Sequence, residues 1–143
     1  SMTFEFSNYT SVDEWQLVSF TQYGGDIVTL GKTINPIVEL PLFATERNNY
    51  AIGDGTVFSV ERTTIHTSND ITGFAGGTDG REIEILNRAS TNVEIIHQSS
   101  NSTDINRVIN PSASNIELTQ YDSVRLRYYE GSINRWIVVG GKH

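Results

Sequence analysis

Residues 71–90, ITGFAGGTDGREIEILNRAS, carry four glycines in their first ten positions. Glycine-rich segments ahead of an apolar run can bind phosphate, because backbone N–H groups can approach the anion closely. A Walker loop, however, requires Lys and then Ser or Thr after its last glycine, whereas Arg81 and Glu82 follow Gly80. A dinucleotide fingerprint opens a helix, whereas this stretch leads into a strand-like run with two carboxylates, Glu82 and Glu84. The stretch therefore predicts a turn followed by a strand, and no nucleotide site.

The three histidines are the next candidates for chemistry, because imidazole can bind metals or transfer protons. His66 and His97 lie in strand-like runs and His143 is the last residue, with no His-Glu-x-x-His motif. A metal site would need partners from elsewhere in the chain, such as Asp70 and Asp79 beside His66. We expect strand histidines that are solvated or hydrogen-bonded, and we predict no metal site and no cofactor.

Nucleophile and carboxylate motifs are equally sparse. The sequence has no G-x-S-x-G elbow. The pairs Asp13-Glu14 and Glu82/Glu84 fit outward positions of turns and strands, although folding can bring distant carboxylates together as a glycosidase pair. We predict no catalytic residues and no enzyme activity.

Aromatic rings beside amides and charges are typical of sugar-binding surfaces, because a flat apolar ring complements the C–H face of a sugar. Trp136 alternates with Val138 and is predicted to face inwards. Tyr128 and Tyr129 are neighbours in one strand, so one of the two rings must be exposed or lie at a subunit interface. The ligand-binding residues stay unassigned. The other tyrosines and tryptophan are Tyr9, Trp15, Tyr23, Tyr50 and Tyr121.

Composition narrows the range of partners. The chain has 143 residues, a net charge of −7 and no cysteine. The negative charge disfavours nucleic acid and anionic membrane as partners, and the lack of cysteine excludes disulfides and thiolate zinc sites. No apolar run approaches the roughly 20 residues of a membrane-spanning helix, and no signal-peptide pattern opens the chain. We expect one β-rich domain over residues 1–143, without membrane insertion.

Short runs of alternating apolar and polar residues, bounded by Gly, Asn, Asp or Ser, predict β-strands. Such runs occupy residues 26–30, 36–43, 57–60, 81–87, 92–97, 115–120, 123–129 and 135–141. Eight or nine short strands without intervening helices predict an all-β domain, an antiparallel β-sandwich of jelly-roll type or a barrel.

Three further segments have local predictions. Residues 11–20 fit a short turn leading into a strand. Pro41 cannot donate to a ladder, so its strand should lie at a sheet edge or contain a bulge. The polar stretch 99–107 should form a surface loop between two strands.

From Asn49 onwards the order of these features resembles a module at the ends of bacteriophage fibre and of tail or head appendage proteins. The matching positions are Ile71–Phe74, Gly77 and Gly80, Ile83–Asn87, Ser99–Thr103, Asn106–Pro111 and Arg135-Trp136. Two segments depart from the pattern. TQYDS at 119–123 stands where such modules often carry Pro-Gly, and YYEGSINRW at 128–136 stands where a Tyr-Asp pair is more usual.

The resemblance implies a structural protein of the phage particle exterior, usually a homotrimer, that contacts other virion proteins or the host surface. It divides the chain into a fibre-head-like module, residues 49–143, and a segment 1–48 that is either an adaptor or additional strands. Host-surface polysaccharide is the ligand to expect. Two alternatives stay open, namely a carbohydrate-binding β-sandwich module detached from an enzyme and a hydrolase of capsule polysaccharide.

Overall fold

The computed structural model describes residues 34–40, 45–61 and 69–142. Contacts divide the chain into two compact units, Ser1–Ile34 and Asn35–His143, and the elements below belong to the second unit. The predicted turn at 11–20, the predicted strand at 26–30, Pro41, His66 and His143 lie outside the described residues. The described strands are β1 (Ile37–Leu40), β2 (Val57–Val60), β3 (Asp70–Ile71), β4 (Glu82–Asn87), β5 (Val93–Ile95), β6 (Val108–Ile109), β7 (Ile116–Leu118), β8 (Ser123–Tyr129) and β9 (Arg135–Gly141), and a 3-10 turn spans Asp104–Asn106.

The strands form two sheets. The larger sheet has the order β1-β2-β4-β8-β9-β6, and the smaller has the order β3-β5-β7. Pairing is antiparallel for β4–β8, β8–β9 and β5–β7. It is parallel for β1–β2, β2–β4, β3–β5 and β6–β9. The described residues contain no α-helix, so the all-β prediction is confirmed, but the sheets are mixed instead of wholly antiparallel.

The route of the chain explains the parallel pairs. From β2 to β8 the chain passes alternately through the larger and the smaller sheet. A strand that returns to the larger sheet after a passage through the smaller one can arrive in the direction of its earlier neighbour, as β4 does beside β2. A tight hairpin would force the opposite direction.

Alternation along the strands decides which side chains are buried. In β8 the side chains of Val124, Leu126 and Tyr128 are buried, whereas Arg125 and Arg127 face away from the core. In β4 the buried residues Ile83, Ile85 and Asn87 are likewise separated by Glu84 and Leu86. The period of two is that of a strand with one face on a core, as the sequence predicts.

Buried side chains from both sheets form one hydrophobic core around Trp136. The indole N–H of Trp136 donates a hydrogen bond of 2.8 Å to the carbonyl oxygen of Phe74. The ring of Tyr128 meets the indole edge to face, with centroids 5.1 Å apart. Trp136 therefore faces inwards, as predicted, and its one polar atom is satisfied there.

The glycine stretch forms the predicted turn and strand. Gly76 and Gly80 both have positive φ, 86° and 84°, which glycine adopts without a steric cost. A Cβ at Gly77 would overlap the ring of Tyr128, so this glycine allows the turn to lie against the core. The strand β4 then runs from Glu82 and ends at Asn87, as predicted.

β1 is the outermost described strand of the larger sheet, where it pairs with β2. Its last residue, Leu40, directly precedes Pro41. The prediction that the strand at Pro41 is an edge or contains a bulge stays a prediction, because Pro41 lies outside the described residues. β1 also lies before residue 49, so the described residues of the segment 1–48 contribute a strand.

Candidate functional site

The glycine turn borders an open cleft of about 250 Å³, lined mainly by small residues, Asp54 and Arg81. The guanidinium of Arg81 donates to the carbonyl oxygens of Gly76 at 2.9 Å and Gly53 at 2.6 Å. It also lies over the indole of Trp136, 5.9 Å from the ring centroid. Arg81 thus joins two loops to the core, and its guanidinium is bonded to the backbone of the cleft's own lining residues.

His97 has a structural role. Its Nδ1 accepts a hydrogen bond of 3.0 Å from the backbone N–H of Asn110, and its backbone bridges to Val108 in the larger sheet. The predicted hydrogen-bonded strand histidine is therefore present at position 97. Asp79 is also engaged, because its Oδ1 accepts from the backbone N–H of Glu130 at 2.9 Å. Within the described ranges, no three His, Asp or Glu side chains lie close enough to share a metal ion.

In the part of the chain that the structure describes, no helix is long and apolar enough to cross a membrane.

Asn49 fixes the polar loop 99–107 to the body of the domain. Its Oδ1 accepts three hydrogen bonds, from the backbone N–H of Thr103 at 2.9 Å, from the Thr103 hydroxyl at 3.0 Å and from Nδ2 of Asn106 at 2.9 Å. Its own backbone N–H donates to Oγ of Ser102 at 2.9 Å. Asn49 has a φ of 50°, a conformation that asparagine tolerates better than most residues.

Two buried hydroxyl groups lie next to the contact between Asn49 and the loop. The hydroxyls of Ser102 and Thr72, which are both buried, are 2.7 Å apart, and Oγ1 of Thr72 also donates to Oδ1 of Asn48 at 2.6 Å. A Cβ at Gly73 would overlap the backbone carbonyl oxygen of Asn106 and lie 2.7 Å from Oγ of Ser102. The loop therefore packs directly against Gly73, and many of its polar groups form hydrogen bonds within the domain.

A second polar surface segment, the turn 119–122, connects β7 to β8. The backbone N–H of Asp122 donates to the carbonyl oxygen of Thr119 at 3.0 Å, which closes a β-turn. Oδ2 of Asp122 accepts from the N–H of Thr119 at 2.9 Å, from its hydroxyl at 2.6 Å and from Nζ of Lys142 at 2.9 Å. The hydrogen bond from Lys142, followed by those from Thr119, lowers the pKa of Asp122 to about 2.

The buried residue Asn87 anchors this turn to the end of β4. Its backbone accepts a hydrogen bond from Tyr121 N–H at 2.6 Å and donates one to the carbonyl oxygen of Asp122 at 2.9 Å. Its side chain donates to the carbonyl oxygens of Leu118 and Thr91, both at 2.9 Å. The backbone of Asn87 therefore fixes the turn to the end of β4, and the Asn87 side chain fixes Leu118, the residue before the turn.

Tyr121, at the tip of this turn, combines an unusual backbone conformation with an exposed side chain. It has a φ of 72°, in the left-handed region that a bulky side chain rarely adopts, and it is 72% exposed. Positive φ at the third residue of a β-turn belongs to a type II geometry, which glycine or asparagine normally occupies. The sequence indicates this unusual turn only by TQYDS at 119–123, which stands where the phage modules often carry Pro-Gly.

The outward face of the larger sheet combines ionic and aliphatic side chains. The guanidinium of Arg127 forms an ion pair with the carboxylate of Glu82 on the neighbouring strand, and this hydrogen bonding raises the pKa of Arg127. Ile137 lies next to Arg127 in register, and Ile109 lies next to Ile137 on β6. Both isoleucines keep part of their surface exposed.

Tyr128 and Tyr129 point to opposite faces of the larger sheet. Tyr128 is buried and its hydroxyl donates to the carbonyl oxygen of Ile105 at 2.7 Å, whereas Tyr129 is exposed. The prediction that one of the two rings is exposed is therefore confirmed. Two further exposed aliphatic residues, Ile105 and Ile133, lie at the same end of β8 as Tyr129.

Comparison with protein-family models, with curated proteins and with solved structures found no match to this chain. The resemblance to phage fibre and appendage modules therefore stays a prediction.

Proposed function

We propose that the chain is a structural domain of a bacteriophage virion, a fibre or a head or tail appendage domain on the particle exterior. It assembles as a homotrimer, contacts other virion proteins and meets polysaccharide on the host surface. The order of motifs from Ile71 to Trp136 supports the class of protein. The outward face of the larger sheet supports the assembly.

That face is the single observation that carries the proposed self-association. Strands with one face in water normally place polar residues there, and in β4 two of the three outward positions, Glu82 and Glu84, are polar while the third is Leu86. Ile137 and Ile109, in contrast, occupy adjacent outward positions on β9 and β6, beside the ion pair of Arg127. Aliphatic rows flanked by charged groups are typical of surfaces that a second chain covers.

The fold supports a rigid module of this kind. Both sheets share one core, which supports a β-sandwich as the finer description. The four parallel pairings among the described strands do not favour the predicted jelly roll, whose strands are antiparallel. A cyclic trimer would cover exposed sheet surface without disulfides.

Light scattering and native mass spectrometry test the assembly. We expect a species of three times the 15.9 kDa of one chain, and dissociation of this species by Ile137→Glu. Ile96→Glu is the matched control, because Ile96 is also partly exposed but follows β5 of the smaller sheet. A wild-type monomer at micromolar concentration would contradict the proposed assembly.

Immunogold electron microscopy tests the location. Antibodies raised against the domain should label the exterior of particles produced by the phage or prophage that encodes the chain. Absence of label, together with absence of the chain from purified particles, would contradict the virion assignment.

A carbohydrate-binding module is the second candidate, because one exposed aromatic residue, Tyr121, lies among polar side chains. A stable monomer that binds oligosaccharides and is absent from particles would favour this reading.

A further inference from the structure

Tyr121 has no evident role in the folding of the domain. With 72% of its surface exposed, the side chain contributes little apolar burial. Its backbone conformation costs about 1 kcal/mol relative to glycine or asparagine, because the Cβ crowds the neighbouring carbonyl in the left-handed region. A residue that is strained and unburied is better explained by a contact outside the domain.

The turn holds the backbone of Tyr121 in a fixed place. The backbone N–H of Tyr121 is bonded to Asn87, and the residue that follows, Asp122, is bonded to Thr119 and Lys142. These bonds keep the strained φ in place without any ligand. An exposed ring on a rigid support loses little conformational entropy on binding, which favours affinity.

The surroundings of the ring indicate the chemistry of the ligand. Three polar side chains of this region, Gln120, Asp122 and Lys142, keep exposed surface. Each already has a partner in the domain, because Gln120 donates to the carbonyl oxygen of Arg88 at 3.3 Å and Lys142 donates to Asp122 at 2.9 Å. Three other exposed apolar side chains, Ile105, Tyr129 and Ile133, lie at the opposite end of β8, about 20 Å away at 3.3 Å per residue. A protein partner normally requires a contiguous apolar patch. One ring among amide and charged groups fits a single sugar, whose C–H face stacks on the ring while its hydroxyls meet the polar groups.

We infer that Tyr121 is the stacking residue of a carbohydrate-binding subsite at the β7–β8 turn. This inference deepens the proposed function, since it gives the expected contact with host polysaccharide a place on the domain.

Binding to a glycan array, followed by NMR titration with the oligosaccharide that binds most strongly, tests the inference. We expect saturable binding with chemical-shift changes at residues 119–122. Tyr121→Asn should weaken the affinity at least tenfold, because asparagine keeps the left-handed turn but removes the ring. The matched control is Tyr129→Asn, which removes an exposed tyrosine at the other end of β8 and should leave the affinity unchanged.

Two results would overturn the subsite: no binding of any glycan, or equal affinity of the wild type and the folded Tyr121→Asn variant. Far-UV circular dichroism and the free energy of unfolding establish that the variant is folded. The outcome is separable from the fate of the proposed function. A virion-associated trimer without glycan binding overturns only the subsite, whereas glycan binding without virion association supports the subsite and contradicts the virion assignment.

Discussion

The loop 99–107 and the turn 119–122 are both polar surface segments, yet they use their side chains in opposite ways. The loop directs Ser102, Thr103 and Asn106 towards Asn49 and the body of the domain. The turn uses its polar groups to hold one aromatic side chain, Tyr121, out in solvent. The loop has the richer polar sequence, but the turn presents the better candidate for binding.

The polarity of a loop therefore does not measure its availability to a ligand. A polar side chain that already has a well-formed internal partner gains little from an external one, because the first bond must be broken. An exposed ring has no such cost.

The largest effect is expected at Gly73, on which the loop 99–107 rests. Gly73→Ala should lower the free energy of unfolding by about 3 kcal/mol, because the new Cβ would overlap the Asn106 carbonyl oxygen and crowd Ser102. Urea denaturation followed by circular dichroism measures the change. In Gly80→Ala the new Cβ meets no atom within 4 Å, so only the positive φ should cost stability, about 1 kcal/mol. Equal effects at the two glycines would contradict the close contact at the loop.

The second effect concerns Asn49. Asn49→Ala should cost about 2 kcal/mol of stability, because three donors lose their shared acceptor and the left-handed backbone loses a residue that tolerates it. Asn49→Asp keeps the acceptor oxygen and should retain most of the stability. Asn101→Ala removes one exposed hydrogen bond to Glu46 and should cost less than about 0.5 kcal/mol. If Asn49→Ala cost no more than Asn101→Ala, the loop would not depend on Asn49.

The third effect has the opposite sign. Tyr121→Asn should raise the free energy of unfolding by about 1 kcal/mol, because it relieves the left-handed strain while little buried surface is lost. Tyr129→Asn should give no such gain, since Tyr129 lies in a regular strand. A loss of stability in Tyr121→Asn, measured by the same denaturation, would mean that the ring supports the fold.

The smallest effect is a change with pH at the turn. The hydrogen bond from Lys142 is the main cause that lowers the pKa of Asp122 from 3.8 to about 2. The stabilisation by this carboxylate is therefore fully present above about pH 4 and is lost as the pH falls through about 2. NMR titration of the carboxyl carbon measures the pKa, and Lys142→Ala should return it towards 3.8. An unchanged pKa in that variant would show that Lys142 does not hold the turn.

The sequence predicted well what depends on neighbouring residues. The alternation in β4 and β8, the inward position of Trp136 and the turn before Glu82 all follow from local patterns, and all are confirmed. Parallel pairing was missed because the strand neighbours of β2 and β6 depend on the route of the whole chain, which alternation does not encode.

The candidate sites were predicted less well, for the same physical reason. The hydrogen-bond partners of Asn49 lie more than 50 residues away in the sequence, so no pattern near position 49 indicates them. The turn at Tyr121 did leave a local signal, namely a tyrosine where such a turn normally requires glycine. That signal became interpretable only with the φ of 72° and the exposure of the ring.

The passage of the chain between two sheets also has a kinetic consequence. Among the described strands, only β8 and β9 pair as consecutive neighbours through a short connection. In the remaining pairs, long loops must close before the strands make contact, which costs chain entropy. We therefore expect a folding time on the order of milliseconds to seconds. The β8–β9 hairpin is therefore the pair that we expect to form first.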